Sequence, residues 1–344
     1  MSTVNVNRVV DASGGVLAPI SSVMRNRIIN GAMVIDQRNA GAVVSTDGAF
    51  SADRWRLSIN NGTNTLQQAV LPSGAVAGFT NYLAFGGAGT ALTIGAYNSF
   101  SQAIEGFNTA DLSWGSANAK TITISFWVNT TGVTGTFGIS LRNSAANRSY
   151  IGSYTVPTAG VWQYVSITVA GDTAGTWLTN NGVGLYLAFD CGVGATFSTT
   201  AGSWQTGNYL GLTGGTKVSA TAGAYLNITG VQLEVGTQAT SFEYRQYQQE
   251  LALCQRYYEV YKNTSITIGL LSSVLVGTNS NWAMWQFQVT KRANPTVAEA
   301  STSGWVNSTP LIYASVDNAN FSGTNYFYSS GTAGTNSLFA SAEL

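Results

Sequence analysis

The residues best equipped for chemistry in this chain are aromatic. Trp127, Tyr164 and Tyr186 each stand in a short run where they alternate with aliphatic side chains. A period of two puts them on the face opposite the aliphatics, together with Thr123, Asn129, Ser166 and Asp190. Sugar rings have apolar faces on which Trp and Tyr stack, while amides, hydroxyls and carboxylates take the ring hydroxyls. The set therefore reads as a glycan-binding sheet face, with packing on a loop or a neighbouring protomer as the competing reading. A second set, Trp305, Tyr313, Tyr326 and Tyr328, lies on or beside the stretch NFSGTNYFY. Its Asn, Ser, Gly and Tyr are the residue types of adaptable recognition loops, with ordinary hairpin turns as the competing reading. Loops on a rigid scaffold carry binding more often than sheet faces do, which favours the second set.

Other chemistries are excluded or weak. The chain has no histidine, which closes histidine-based triads and His-ligated metals. Glycan cleavage needs two carboxylates across a cleft, and the acidic residues are scattered singly. The densest group, Glu234, Glu243, Glu250 and Glu259, reads as surface salt bridging and capping, with Thr240 and Glu243 able to form a capping box. The chain is therefore not expected to be an enzyme. Gly86, Gly87, Ala88 and Gly89 lack the Lys-Ser/Thr of a phosphate loop. Cys191 and Cys254 fall in no metal or redox spacing and read as small buried residues. No cofactor is expected; were calcium held, Asp36, Asp53 and Glu234 would be its oxygen donors.

The elements that must position the aromatics are strands. Apolar residues make up 44% of the 344, and charged residues only 9%, against roughly 25% in an ordinary globular protein. Ser, Thr, Asn and Gly do the solvating, as suits permanent assemblies and extracellular particles. Net charge is zero, which gives no footprint for nucleic acid. The longest apolar stretch, 266–276, is too short and too interrupted for membrane insertion. The run TITISFWVN alternates without a break, with Ile122, Ile124, Phe126 and Val128 on one side. Val161, Val165, Ile167 and Val169 do the same, as do Leu185, Leu187 and Phe189. Strands at short intervals with Gly-rich turns predict an all-β fold, a sandwich of jelly-roll type. Residues 246–261 contain no Gly, Pro, Ser or Thr, and Leu251, Cys254, Tyr258 and Tyr261 fall at helical spacing. They predict one short helix whose apolar face closes an oligomer contact or seats a C-terminal tip on the module. The first thirty residues hold no aromatic and too little apolar material for a core. The expected organisation is an extended N-terminal arm over 1–30, a jelly-roll module over 31–240, a connecting helix over 241–262 and a second, smaller β-sandwich tip domain over 263–344.

An ordered set of motifs carries a family likeness: RIINGAMVIDQRN at 27–39, Asp53-Arg54-Trp55, GVQLEVG at 230–236, ATSFE at 239–243, ELALCQRYY at 250–258 and KRANPT at 291–296. This set resembles a widespread group of phage tail-fibre and receptor-binding proteins. The resemblance implies a module like a jelly-roll carbohydrate-binding module, closed by the 230–236 strand, with the helix leading to a C-terminal tip. It also implies a homotrimer, attached to other virion proteins through the N-terminal arm and adhering to a host cell-surface glycan. The first residues lack the apolar stretch of a secretion signal, so synthesis in the bacterial host cytoplasm and location in the virion are expected. The runners-up are a purely structural virion subunit, such as a connector or head fibre, and a polysaccharide depolymerase.

Overall fold

The computed structural model describes residues 24–262, 281–299, 311–323 and 337–344, with short strand segments at 9–10, 16–17, 305–306 and 328–329. Its larger part is a sandwich of two antiparallel sheets. In chain order the strands are β1 (Arg56–Ser58), β2 (Thr65–Val70), β3 (Asn81–Gly86), β4 (Tyr97–Glu105), β5 (Ile122–Thr131), β6 (Gly135–Arg142), β7 (Arg148–Val156), β8 (Gln163–Val169), β9 (Val183–Val193), β10 (Trp204–Thr206) and β11 (Tyr225–Val235). One sheet has the order β8-β5-β11-β3-β2, the other β10-β7-β6-β9-β4-β1. The all-β, jelly-roll-like sandwich expected from the alternation is what forms.

The alternation is the cause of the layering. Ile122, Ile124, Phe126 and Val128 of β5 are fully buried, and β8 sets Val169, Ile167 and Val165 opposite the first three. From the other sheet, Leu185, Leu187 and Phe189 of β9 and Phe137, Ile139 and Leu141 of β6 meet them. Phe189 lies at the centre, stacked on Phe100 at 5.0 Å and edge-on to Phe126 at 5.2 Å. Each such side chain contributes about 1.5–3 kcal/mol by leaving water. Val161 does not share this core; it precedes β8 and is 54% exposed.

Two expected boundaries move. Residues 24–30 of the expected arm belong to the folded body: Ile28 is fully buried in the sandwich core, and Ile29 in a second small core with Ile35, Cys254 and Tyr257. Low aromatic content made the segment look unanchored, but these isoleucines fill space that other parts of the chain enclose. The helix, α1 (Tyr247–Gln255), is shorter than its sequence pattern. Tyr258 and Tyr261 lie instead in strand β12 (Tyr258–Lys262), because that segment pairs with β17 (Ser337–Ser341). β17 also pairs with β14 (Thr296–Glu299), and β13 (Asn281–Gln286), β16 (Asn318–Gly323) and β15 (Leu311–Ala314) form a separate three-stranded sheet. Among the described residues no helix is long and apolar enough to cross a membrane.

The family-like motifs meet where the sandwich, α1 and the C-terminal strands join. Asn30, at φ 57°, turns the chain in the left-handed region that Asn tolerates. Its side chain bonds Ile35 in both directions and the carbonyl of Asp53, and its own carbonyl accepts the Trp55 indole N–H at 3.1 Å. Its backbone N–H donates to Glu250 of α1. Gly31 is needed next because a Cβ there would sit 2.2 Å from the Val231 carbonyl oxygen of β11. Arg54 is held by Glu343 and lies over the Tyr257 ring at 3.5 Å; Arg38 bonds Glu343 at 2.7 Å and covers Tyr258 at 3.5 Å. Glu105 of β4 receives Arg256 at 2.7 Å and the Tyr257 hydroxyl at 2.7 Å. Burial draws the Arg54 pKa down to about 10 and pushes that of Tyr257 up to about 12.

Candidate functional site

A groove of about 280 Å3 crosses the outer face of the six-stranded sheet, lined mainly by β1, β4, β6 and β9. Its floor is set by sheet register. Arg56 is opposite Ser101, Ser101 opposite Ala188, and Ala188 opposite Ser140, so three small residues lie side by side across β4, β9 and β6. Small side chains there leave a trench between larger neighbours. On one flank Tyr186 sits opposite Arg142, whose guanidinium lies 5.1 Å from the centre of the Tyr186 ring. Near the other, Tyr97 and Phe197 meet edge to face at 6.2 Å. Ser58, Ser99, Asp47, Asn208 and Leu210 complete the lining.

The loop that forms one wall is pinned by a buried carboxylate. Asp190 stands between the core residues Phe189 and Cys191 of β9, opposite Ser99 on the groove side, and is fully buried beneath this loop. Its oxygens accept the N–H groups of Gly192, Val193 and Leu212, each at 3.0 Å, and the Lys217 ammonium at 2.5 Å. Burial raises the Asp190 pKa, and Lys217 opposes that shift. Ser149 adds two bonds to the same loop, at Gly207 and Tyr209. Asn208 is thereby placed to accept a hydrogen bond from Arg142. The site is preorganised by contacts that no ligand needs to supply.

The structure divides the expected glycan face. Trp127 and Tyr164 are cross-strand partners, 5.4 Å apart, on the outside of the five-stranded sheet. They border a wide depression of about 610 Å3 with Phe79, Phe242 and Tyr244. Tyr186 belongs to the other sheet and faces the opposite way. Thr123 lies on the Trp127 side, and Asp190 on the Tyr186 side, where the 207–217 loop buries it. Of the tip set, Tyr326 lies outside the described residues, and only the backbone is described for Trp305, Tyr313 and Tyr328. In the expected oligomer contact, Cys254 is fully buried against Ile29 and Ile35, and Tyr258 stacks on Phe339 at 5.7 Å. Leu251 packs against the same small core, and for Tyr261 only the backbone is described. Cys254 and Tyr258 are thus covered by this chain's own residues and offer no surface to a second copy.

The calcium donors do not converge. Asp36 caps the N–H groups of Arg38, Asn39 and Gly41; Asp53 is bonded by Gln37 and Arg38; Glu234 holds Thr240 and Arg25. No group of three metal-type side chains occurs among the described residues. Glu234, Glu250 and Glu259 are buried rather than on the surface, each with a partner: Arg25, Arg245 and Lys291. Thr240 bonds Glu234 and the helix starts at Tyr247, so no capping box forms.

Sequence reasoning missed Arg56, Tyr97, Arg142 and Asn208. A signal existed for two of them: in GTFGISLR and YNSFSQAIE the alternation that buries Ile139, Leu141 and Phe100 turns Arg142 and Tyr97 outward, and Ser99 with them. Nothing in the sequence shows that those strands flank β9 in one sheet.

No protein-family model matches the chain, and no curated protein matches its sequence. Solved structures with a likeness include the enzymatically active domain of tailspike protein 4 from bacteriophage CBA120, at 14% identity and TM-score 0.32, over 62% of this chain and 22% of that one. An arabinose-bound α-L-arabinofuranosidase is matched at 14% identity and TM-score 0.31, over 58% of this chain and 26% of that one. The family 11 carbohydrate-binding module from Clostridium thermocellum, in complex with a β-1,3-1,4-mixed-linked tetrasaccharide, is matched at 11% identity and TM-score 0.28, over 58% of this chain and 98% of that one. This chain thus spans only about a quarter of the first two. The expectation that the chain is not an enzyme is corrected by them, since one is an enzymatically active domain and the other a glycosidase. The structural neighbours thus include a phage tailspike domain and carbohydrate-binding modules, and they define no family for this chain.

Proposed function

We propose that this protein binds a carbohydrate in the groove on the six-stranded sheet, as a fibre or spike subunit that attaches a phage particle to a host surface glycan. The groove itself carries the reading: an aromatic flank at Tyr186, a second at Tyr97 and Phe197, a floor of serine hydroxyls and a fixed Arg142–Asn208 pair. Aromatic faces with convergent polar groups are the chemistry a sugar ring needs. The virion setting is supported by the ordered tail-fibre-like motifs and by the low content of charged residues. Assembly as a homotrimer, attachment through the N-terminal arm and location in the virion are part of the same proposal.

The test is a glycan array probed with the full chain, then with Tyr186→Ala and with Trp127→Ala. The groove reading expects Tyr186→Ala to lose signal about ten-fold, as a stacked aromatic contributes on the order of 1 kcal/mol beyond its buried area, and Trp127→Ala to keep it. The reverse pattern would move the site to the five-stranded sheet. Loss in neither variant would return it to the tip aromatics. Sedimentation at micromolar concentration checks assembly; a folded monomer refutes the trimer.

A further inference from the structure

Among the described residues, the groove gathers the positive charge that no carboxylate or carbonyl of the chain takes up. Arg27, Arg38, Arg54, Arg148, Arg245, Arg256, Lys217 and Lys291 each lie within ion-pair distance of a carboxylate. So do Arg25 and Lys120. Arg292 is taken up by the carbonyls of Ala342, Asn181 and Glu343. Among the described cationic side chains that leaves Arg56 and Arg142, and both line the groove. Arg142 bonds only the neutral Asn208 side chain, and its Nε is buried with no partner. Arg56 is exposed and makes no side-chain hydrogen bond or ion pair. The one carboxylate in the lining, Asp47, accepts the Ile59 N–H at 2.8 Å and pairs with neither arginine.

This arrangement is unfavourable for the empty site. Desolvation holds the Arg142 pKa below its ordinary value, with the Tyr186 ring as the nearest compensation. Elsewhere this chain supplies a carboxylate to such groups, as Asp172 does for Arg148 and Glu105 for Arg256. A partly desolvated guanidinium without an anion gains most from a ligand that brings one, because charge-assisted bonds are about twice as strong as neutral ones.

We infer that the groove selects an anionic saccharide, whose carboxylate or ester sulfate is bound by Arg142 and, further along the chain of sugars, by Arg56. The inference rests on the carbohydrate reading of the groove and adds the charge of the ligand. The spacing suits an oligosaccharide lying across the strands. Arg56 and Arg142 are on β1 and β6, with β4 and β9 between, so their backbones are about three strand spacings of ~4.8 Å apart. A ligand with charges on successive or alternate sugars would meet both.

Calorimetric titration of the full chain with three probes tests this: oligogalacturonate, a sulfated galactan oligosaccharide and a neutral galacto-oligosaccharide of equal length. The expected result is that one of the anionic probes binds at least ten-fold tighter than the neutral one. That preference should shrink as salt rises. Arg142→Gln should weaken the anionic probe about ten-fold or more and Arg56→Ser about three-fold, each loss several times larger than that of the neutral probe. Arg56→Ser and the salt series stand independently should Arg142→Gln fold poorly. Tyr186-dependent binding of the neutral probe, equal to or tighter than the anionic ones and indifferent to both arginine changes, overturns this inference and leaves the carbohydrate reading intact. Absence of binding to any saccharide overturns both.

Discussion

The junction and the groove use the same vocabulary of Arg, Tyr and Asn in opposite ways. At the junction the chain supplies counter-charges of its own: Glu343 to Arg38 and Arg54, Glu105 to Arg256, and Arg245, with the Asn30 N–H, to Glu250. The aromatics Tyr257 and Tyr258 are buried under guanidinium groups. In the groove the guanidinium of Arg142 also lies against a tyrosine, yet no carboxylate completes it. Arginine on tyrosine does not by itself mark a binding site. What distinguishes the two is whether the chain supplies the counter-charge, since a charge kept from water needs a partner from somewhere.

That comparison breaks most readily at Glu343. Glu343→Ala removes the acceptor of the buried Arg54 and the half-buried Arg38, and breaking a buried pair from one side costs about 3–5 kcal/mol. The expected result is a stability loss of about 3 kcal/mol in urea unfolding. A loss below about 1 kcal/mol would mean that the junction charges are as dispensable as surface pairs.

Gly31→Ala comes next. Its Cβ would press on the Val231 carbonyl, a backbone atom that cannot step aside, and forced overpacking costs about 1–3 kcal/mol. Thermal unfolding should show the loss, while a groove ligand, seated on the other sheet, should bind unchanged to the folded fraction.

Thiol labelling separates the regions in time. Cys191 and Cys254 are both free and buried, and desolvation lifts both thiols well above their ordinary pKa. Neither should react in the native protein at neutral pH, because the thiolate is the nucleophile. Cys254, in the small junction core, should label before Cys191 in sub-denaturing urea. Simultaneous labelling would show that junction and sandwich open together.

The smallest effect is expected at Arg142. If its charge is unanswered in the free protein, Arg142→Gln should change stability by no more than about 0.5 kcal/mol. A loss as large as that at Glu343 would show a structural role and erase the contrast.

How much of this was legible depends on which information is local. The sandwich was, because β5 and β9 state their buried faces through Ile122, Ile124, Phe126, Leu185, Leu187 and Phe189 without help from elsewhere. The family-like motifs were legible as motifs, but their meaning was not. Residues 27–39, 53–55 and 250–258 are far apart in sequence, and only their meeting shows that they tie the sandwich to the C-terminal strands. The helix was overextended because Tyr258 and Tyr261 keep helical spacing, while the strand that decides their state, β17, lies far along the chain at Ser337–Ser341.

The site shows the same limit more sharply. The alternation correctly turned Trp127, Tyr164 and Tyr186 away from the aliphatics. Placing them together required knowing which sheet each strand joins, and that depends on long-range pairing: β5 beside β8, β9 between β4 and β6. Sequence alone therefore determined a low-charge, all-β chain with aromatics on its outward faces, since composition and a period of two are properties of each segment by itself. Only the tertiary structure decided that Ser101, Ala188 and Ser140 align into a trench, that the 207–217 loop covers Asp190 and is pinned by it, and that Arg56 and Arg142 share the trench without a carboxylate paired to either. Register, bulges and charge matching are relations between segments, and no segment carries them alone.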